Sequence, residues 1–303
     1  MRYKSVEVQV PAKVNLQLSV GPKESDGYHE VVTVFQAISM MDTVKVTDAS
    51  EFAISIAGDY VNGVPLDGDN LVAKAVALMA EKFDTKNELE ININKKIPVA
   101  GGMAGGSADA AGVIVGLDSL FELGLSRDEM ESVGSKIGSD VPFSICGGVA
   151  IGTGRGDQIT PALAKGNYNW VLALSGQGLS TPAVYQECDR LREGLSIAPP
   201  VVSEQLMQAL RAGDPKALGK ALTNELQPAA CSLRPALRLV LDVGVDYGAL
   251  GGIISGSGPT VAFLVSDDDH AMDLTVALSS SGVVSSVVRA NGPTHGARII
   301  ESF

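Results

Sequence analysis

Valines at positions 6, 8 and 10 alternate with polar residues and predict a strand that begins in the Met1–Lys4 stretch. Val31–Ser39 and Thr43–Thr47 are two further β-rich runs, and Leu89–Ile93 alternates again. Between them, Leu71, Ala75, Leu78 and Met79 recur at helical spacing over Asp69–Phe83, with Asp69 or Asn70 suited to the cap. A longer helix is predicted over Ala108–Leu123, where Ala110, Val113, Ile114, Leu117 and Leu120 share one stripe and Gly124 ends the run. Ser126-Arg127-Asp128-Glu129 is a capping-box signature for a short helix after it. The second half predicts a strand at Trp170–Leu174 and helices at Glu204–Ala212, Lys216–Leu222 and Pro235–Val243. Gly194–Val202 reads as a loop. The end of the chain reads strand Thr260–Val265, helix Asp267–Ser281 and strand Val283–Ala290. This mixture predicts an α+β protein.

Composition narrows the function classes. A chain of 303 residues suits two domains, and 45% hydrophobic with 19% charged residues supports ordinary cores. A net charge of −12 argues against a nucleic-acid partner, which calls for a basic face. Cys146, Cys188 and Cys231 are widely spaced and form no C-x-x-C pair, so buried free thiols are expected. No apolar run reaches the ~18 residues of a membrane span, and the N-terminus lacks signal-peptide architecture, so a cytoplasmic protein without membrane contact is expected.

The run Pro98-Val99-Ala100-Gly101-Gly102-Met103-Ala104-Gly105-Gly106-Ser107-Ala108 lies between a predicted strand and a predicted helix. Glycines let a bulky anion approach backbone N–H groups, and the helix start adds free donors and the positive end of its dipole. The pattern therefore describes a phosphate cradle, with a packing-driven tight turn as the alternative. It is not a Walker A loop, because Ser107-Ala108 stands where Lys-Ser/Thr is required, and its glycine spacing is not G-x-G-x-x-G. Without a loop lysine, phosphate charge must be met by backbone, dipole, metal and a distant cation. The Ser107 hydroxyl is placed to reach a metal or a phosphate.

Lys13 and Asn15 share one face of an otherwise apolar strand, where an unpaired ammonium is costly. Asp140 sits in the small-residue turn Gly138-Ser139-Asp140-Val141-Pro142-Phe143. Each alone reads as a structural ion pair or a cap. Together they suggest a carboxylate that accepts a hydroxyl proton and a lysine that favours its charge. Asp26-Gly27-Tyr28-His29 is a turn followed by two rings, and Tyr185 follows Ser180-Thr181-Pro182. Surface, cap or core roles remain open for these aromatic residues.

Three segments in this order, Pro11–Leu16, Pro98–Ala111 and Ile254–Thr260, resemble the GHMP kinase superfamily over nearly the whole chain. The resemblance implies an N-terminal domain like ribosomal protein S5 domain 2 (1–162) and a ferredoxin-like C-terminal domain (163–303). It also implies an ATP- and Mg²⁺-dependent small-molecule kinase, monomeric or homodimeric. The Asp-Gly-Tyr-His turn is similar to the branch that phosphorylates the 2-hydroxyl of a cytidylated methylerythritol. That resemblance gives Asp140 as base and Lys13 as its partner, with Tyr28 and Tyr185 stacking on cytosine and His29 reading its edge. Asn15, Phe35 and Thr181 would line the acceptor pocket, Asn70 would lie near the nucleotide base, and Ser107 is the candidate metal contact. A homoserine or sugar kinase, a diphosphomevalonate-type decarboxylase and a silent nucleotide-binding module are the alternatives. The resemblance leaves open the role of Asp109 and whether Gly256 and Gly258 touch ligand.

Overall fold

A computed structural model describes residues 4–61, 63–65 and 68–303; Met1–Tyr3, part of the first predicted strand, lie outside this range. The chain builds two sheets. The first contains β1 (Ser5–Lys23), β2 (His29–Asp48), β3 (Ala53–Gly58) and, after α1 (Leu71–Phe83), β4 (Leu89–Lys95). Next come α2 (Gly105–Phe121), α3 (Arg127–Gly134), α4 (Val141–Cys146), β5 (Val149–Thr153) and β6 (Gln158–Pro161). The strand order is β12-β1-β2-β4-β3, with β5 added to β2 and β6 to β5.

The second sheet starts at β7 (Tyr168–Leu174). It continues through α5 (Thr181–Leu191), α6 (Glu204–Ala212), α7 (Pro215–Ala221), the two-residue β8 (Thr223–Asn224), α8 (Gln227–Leu233) and α9 (Ala236–Asp246). Strands β9 (Gly251–Ile254) and β10 (Val261–Val265), helix α10 (Asp268–Ser280) and strand β11 (Ser286–Gly292) complete it, in the antiparallel order β11-β7-β10-β9. A β-α-β-β-α-β course with this order is the ferredoxin-like plan, elaborated by extra helices between β7 and β9. The chain does not end there. Strand β12 (Arg298–Ser302) returns to pair with β1, and β8 also joins β1, so both segments tie the second half back to the first sheet.

Two predicted runs, Val31–Ser39 and Thr43–Thr47, form the single strand β2, because the intervening residues stay paired to β1 across a bulge at Pro11/Ala12. Helix α2 begins at Gly105, three residues earlier than its stripe suggests, so the last four residues of the glycine run, Gly105–Ala108, are helical. Its stripe is buried as expected, and Gly112 and Gly116 allow a closer approach still. A Cβ there would lie 2.9 Å and 2.7 Å from the Val44 and Val46 side chains. Asn70 caps α1 by accepting from Val72 N–H at 2.9 Å, an arrangement worth about 1 kcal/mol. The Ser126–Glu129 capping box forms, and all three cysteines are free and buried. Among the described residues no helix is long and apolar enough to cross a membrane. The two halves also lock through Trp170 Nε1, which donates to buried Gln36 Oε1 at 2.7 Å.

Candidate active site

A cavity of about 590 Å³ opens between the two sheets. The glycine run forms one wall, β1 and β2 the floor, and the start of α5 with the Gly256–Gly258 turn the opposite side. The loop is held by three hydrogen bonds from two distant segments, β1 and the Ser255–Thr260 turn. Lys13 N–H donates to Met103 O at 3.3 Å, Thr260 N–H to Gly101 O at 3.3 Å, and Ser255 Oγ to Gly102 O at 2.9 Å. Gly102 adopts φ +76° and Ala104 φ +62°, and Ala104 is the residue from which α2 departs. The start of α2 therefore presents unpaired backbone N–H groups to the cavity, the arrangement that binds phosphate. Pro98, Ala100, Gly101, Gly102, Ala104, Gly105, Gly106 and Ser107 line it, whereas Met103 and Ala108 are buried in the core and Val99 is not part of the lining.

Lys13 and Asp140 meet at the floor, with Nζ 3.9 Å from Oδ2. Lys13 is 4% exposed, and its ammonium donates to Asn15 Oδ1 at 2.6 Å. Asn15 in turn donates to Thr33 Oγ1 at 2.8 Å, which fixes its amide orientation. Burial lowers the Lys13 pKa from its usual 10.5, and the Asp140 charge opposes that shift without cancelling it. Asp140 precedes α4, a helix absent from the sequence reading, and its side chain is 30% exposed toward the cavity. Gly256 sits against this pair: a Cβ there would lie 3.1 Å from Lys13 Nζ. The third motif thus borders the cavity directly.

Thr181 and Tyr185 project from α5 into the cavity, and Phe35 lines the floor, stacked on Phe143 at 4.7 Å. Thr181 Oγ1 and Ser257 Oγ are 2.8 Å apart. The Tyr185 hydroxyl is pushed up to about 12, mainly by burial, then by the Asp140 and Cys188 charges. His29 is buried behind it, 5.3 Å ring to ring, with Nδ1 3.0 Å from Gly21 O and Nε2 3.1 Å from Asp189 Oδ1. Tyr28 is 56% exposed and lies outside the cavity lining, with the Arg155 guanidinium 4.0 Å from its ring centre. Asn70 does not line the cavity either. Its amide nitrogen donates to Pro65 O at 2.6 Å while its oxygen caps α1, and the adjacent Leu71 reaches the lining instead. Arg155 and Ser257 were missed as site residues. Ser257 stood inside a recognised glycine motif, but Arg155 carried only the signature of a turn.

Beneath the loop lies a buried ionic triad. Lys95 Nζ pairs with Asp42 and with Asp109 Oδ2, the latter at 2.7 Å, and Asp42 Oδ1 accepts Ile97 N–H at 2.8 Å. Burial opposes the Lys95 charge, but Asp109 and Asp42 outweigh it and raise its pKa. Burial first, then the Asp42 charge, hold the Asp109 carboxyl well above its usual range despite Lys95. The triad thus joins β2, the end of β4 and the first turns of α2. Asp109 is committed to it and does not line the cavity.

A glycine-rich helix start facing a lysine–carboxylate pair across a cleft of about 590 Å³ is an arrangement suited to phosphoryl transfer from a nucleotide. Residues 70–148 match the model for the GHMP kinases N terminal domain, and residues 206–284 match that for GHMP kinases C terminal. A 4-diphosphocytidyl-2-C-methyl-D-erythritol kinase of Rhodococcus jostii is 50% identical over 297 residues, 97% of this chain and 95% of that protein. The Mycobacterium tuberculosis kinase of the same name is 48% identical over 98% of this chain and 94% of its own length. A crystal structure of 4-(cytidine 5′-diphospho)-2C-methyl-D-erythritol kinase superposes with a TM-score of 0.76 at 29% identity, covering 94% of this chain and 98% of that one. The homoserine kinase of Cytophaga hutchinsonii shares the fold at a TM-score of 0.75 and 17% identity, over 99% of this chain and 98% of its own. The chain belongs to the GHMP kinases and, within them, to the family of the 4-diphosphocytidyl-2-C-methyl-D-erythritol kinases.

Proposed function

We infer that the enzyme transfers the γ-phosphoryl group of ATP to the 2-hydroxyl of 4-(cytidine 5′-diphospho)-2-C-methyl-D-erythritol, giving the 2-phosphate and ADP in isoprenoid precursor synthesis. The observation that carries the chemistry is the Lys13–Asp140 pair at 3.9 Å, facing the glycine-rich start of α2. The nucleotide phosphates lie along the loop backbone and the α2 N-terminus, and the acceptor lies toward Thr181 and Tyr185. Asp140 takes the proton of the attacking hydroxyl. As the oxygen bonds to phosphorus and ADP leaves, Lys13 stabilises the charge developing on the transferring group. Asn15 holds the Lys13 ammonium in place through its 2.6 Å hydrogen bond. Tyr185, neutral at all working pH values, supplies a ring face for the pyrimidine without a charge.

Mg²⁺ suits the site, because that ion is commonly bound by one or two protein oxygens together with substrate phosphates. Among the described residues no cluster of three or more His, Cys, Asp or Glu forms a dedicated metal cage. The Ser107 hydroxyl, at the cavity wall, would hold the ion beside the phosphates, where it supplies neutralisation of their charge. We place the domain division after residue 162, between β6 and β7, with β12 returning to the first domain.

The test is coupled ADP release with a panel of alcohols: the cytidylated methylerythritol, homoserine, mevalonate and galactose. Turnover with the first and background rates with the rest are expected. Faster turnover of an alcohol lacking the cytidine group would refute the assignment.

A further inference from the structure

The turn Gly154-Arg155-Gly156-Asp157 joins β5 to β6 at the rim of the cavity. Its backbone is well held. Gly154 O accepts Val31 N–H at 2.8 Å, Gly156 N–H reaches Thr153 O at 3.0 Å, and Asp157 Oδ1 accepts Arg155 N–H at 3.2 Å. The Arg155 side chain, by contrast, is 58% exposed. Its contacts are Asp26 Oδ2 at 3.5 Å and the face of Tyr28. An exposed ion pair of that length holds weakly, so a better partner readily recruits the guanidinium.

Arg155 has a second property. Among the described residues lining the cavity, the charged side chains are Lys13, Asp140 and Arg155. Lys13 is buried and already engaged with Asn15 and Asp140. Arg155 is therefore the one solvent-reaching cation of that lining. It also bridges two regions, since it lines the cavity that holds the Lys13–Asp140 pair and touches Tyr28 outside it. A ligand that stacks on Tyr28 and reaches Asp140 with its hydroxyl spans both regions that Arg155 touches. In a cytidylated polyol, the ribose and the diphosphate occupy the middle stretch. A guanidinium fork matches phosphate oxygens with two parallel donors.

We propose that Arg155 binds the diphosphate of the acceptor, leaving Asp26 and Tyr28 to do so, and thereby selects a nucleoside-diphosphate-linked alcohol over an uncharged one. This rests on the acceptor assignment above. The test measures CDP and cytidine binding by calorimetry to the full chain and to its Arg155→Ala and Arg155→Lys variants, with KM values for ATP and the cytidylated methylerythritol. Loss of a charge-assisted phosphate contact is expected to weaken CDP by ~10–100-fold in Arg155→Ala and to raise the acceptor KM in parallel. Cytidine affinity and the ATP KM should stay within about two-fold, and Arg155→Lys should recover part of the CDP affinity.

Equal weakening of CDP and cytidine would overturn the proposal, because Arg155 would then act only by buttressing Tyr28. A raised ATP KM with unchanged CDP affinity would overturn it too, by assigning the arginine to the donor. A wild-type chain that binds neither CDP nor cytidine would instead sink the acceptor assignment, and this proposal with it.

Discussion

At Gly102 the glycine-rich loop packs backbone to backbone against the third glycine motif, and Gly102→Ala perturbs that contact. A Cβ built there lies 2.1 Å from Ser255 O, against the 3.4 Å at which ordinary contact begins, and 3.0 Å from Gly258 N. These are backbone atoms, so no side chain can swing aside. The shortfall of about 1.3 Å must be met by moving the loop away from the Ser255–Gly258 turn. The φ of +76° adds ~1–2 kcal/mol of backbone strain for alanine. The Ser255 Oγ to Gly102 O hydrogen bond lies across the same gap. Displacing positioned groups by ~1 Å costs about 10²-fold in rate, so kcat/KM in an ADP-release assay should fall by that order and the melting temperature by a few degrees. Gly106→Ala is the matched control for stability. Its Cβ meets only Leu71 Cδ1 at 3.7 Å, and it lies within α2, where alanine gains up to ~1 kcal/mol over glycine. Gly102→Ala with the parent's melting temperature and kcat/KM would refute this reasoning, as would equal destabilisation by Gly106→Ala.

Asp140→Asn should lower kcat by ~10²–10⁴ while ATP and acceptor binding, followed by calorimetry, change little; near-parent turnover would remove Asp140 as the base. Tyr185→Ala should weaken the cytidylated acceptor far more than ATP, and equal losses in the two KM values would take Tyr185 out of the acceptor subsite. The charged Lys13 is lost as pH rises through its lowered pKa, so the alkaline limb of kcat/KM should fall below 10.5. Tyr185→Phe should leave that limb in place, because the phenol titrates at about 12, and a limb that moves would assign it to the tyrosine. Asp109→Asn tests the buried triad. The folded-state pKa is raised above the unfolded ~3.9, so with rising pH the unfolded chain releases this proton first and Asp109 lowers stability increasingly above about pH 4. The variant's melting temperature relative to the parent's should therefore rise from pH 4 to pH 7, and the reverse order would show that the ionised carboxylate stabilises the fold.

Local patterning was legible in the chain wherever the cause is local. Ser126 and Glu129 cap α3 because three-residue spacing brings each to the other's backbone, and the α2 stripe is buried because 3.6 residues make a turn. The glycine run announced its loop for the same reason, since positive φ and close approach are properties of the residues themselves. The missing loop lysine directed attention to a cation elsewhere, and Lys13 does line the same cavity as the loop. Other features depend on partners far away in sequence. Asp42 shows its role only once β2 and β4 are paired and Lys95 lies between it and Asp109. Helix α4, which follows Asp140, has only six residues and cannot show a period, and α5, which carries Tyr185, buries only Val184 and Cys188, so its apolar stripe is faint.

Sequence alone determined that a glycine-rich turn at a helix start, a lysine on an apolar strand and a carboxylate in a small-residue turn exist. Only the tertiary structure decided that Lys13 and Asp140 share one floor 3.9 Å apart, that Asn70 caps a helix and that Arg155 faces the cleft. The physical reason is that hydrogen-bonding and torsional preferences act between near neighbours along the chain. The meeting of charges from β1, α4 and the β5–β6 turn is set by sheet pairing and core packing across the whole molecule.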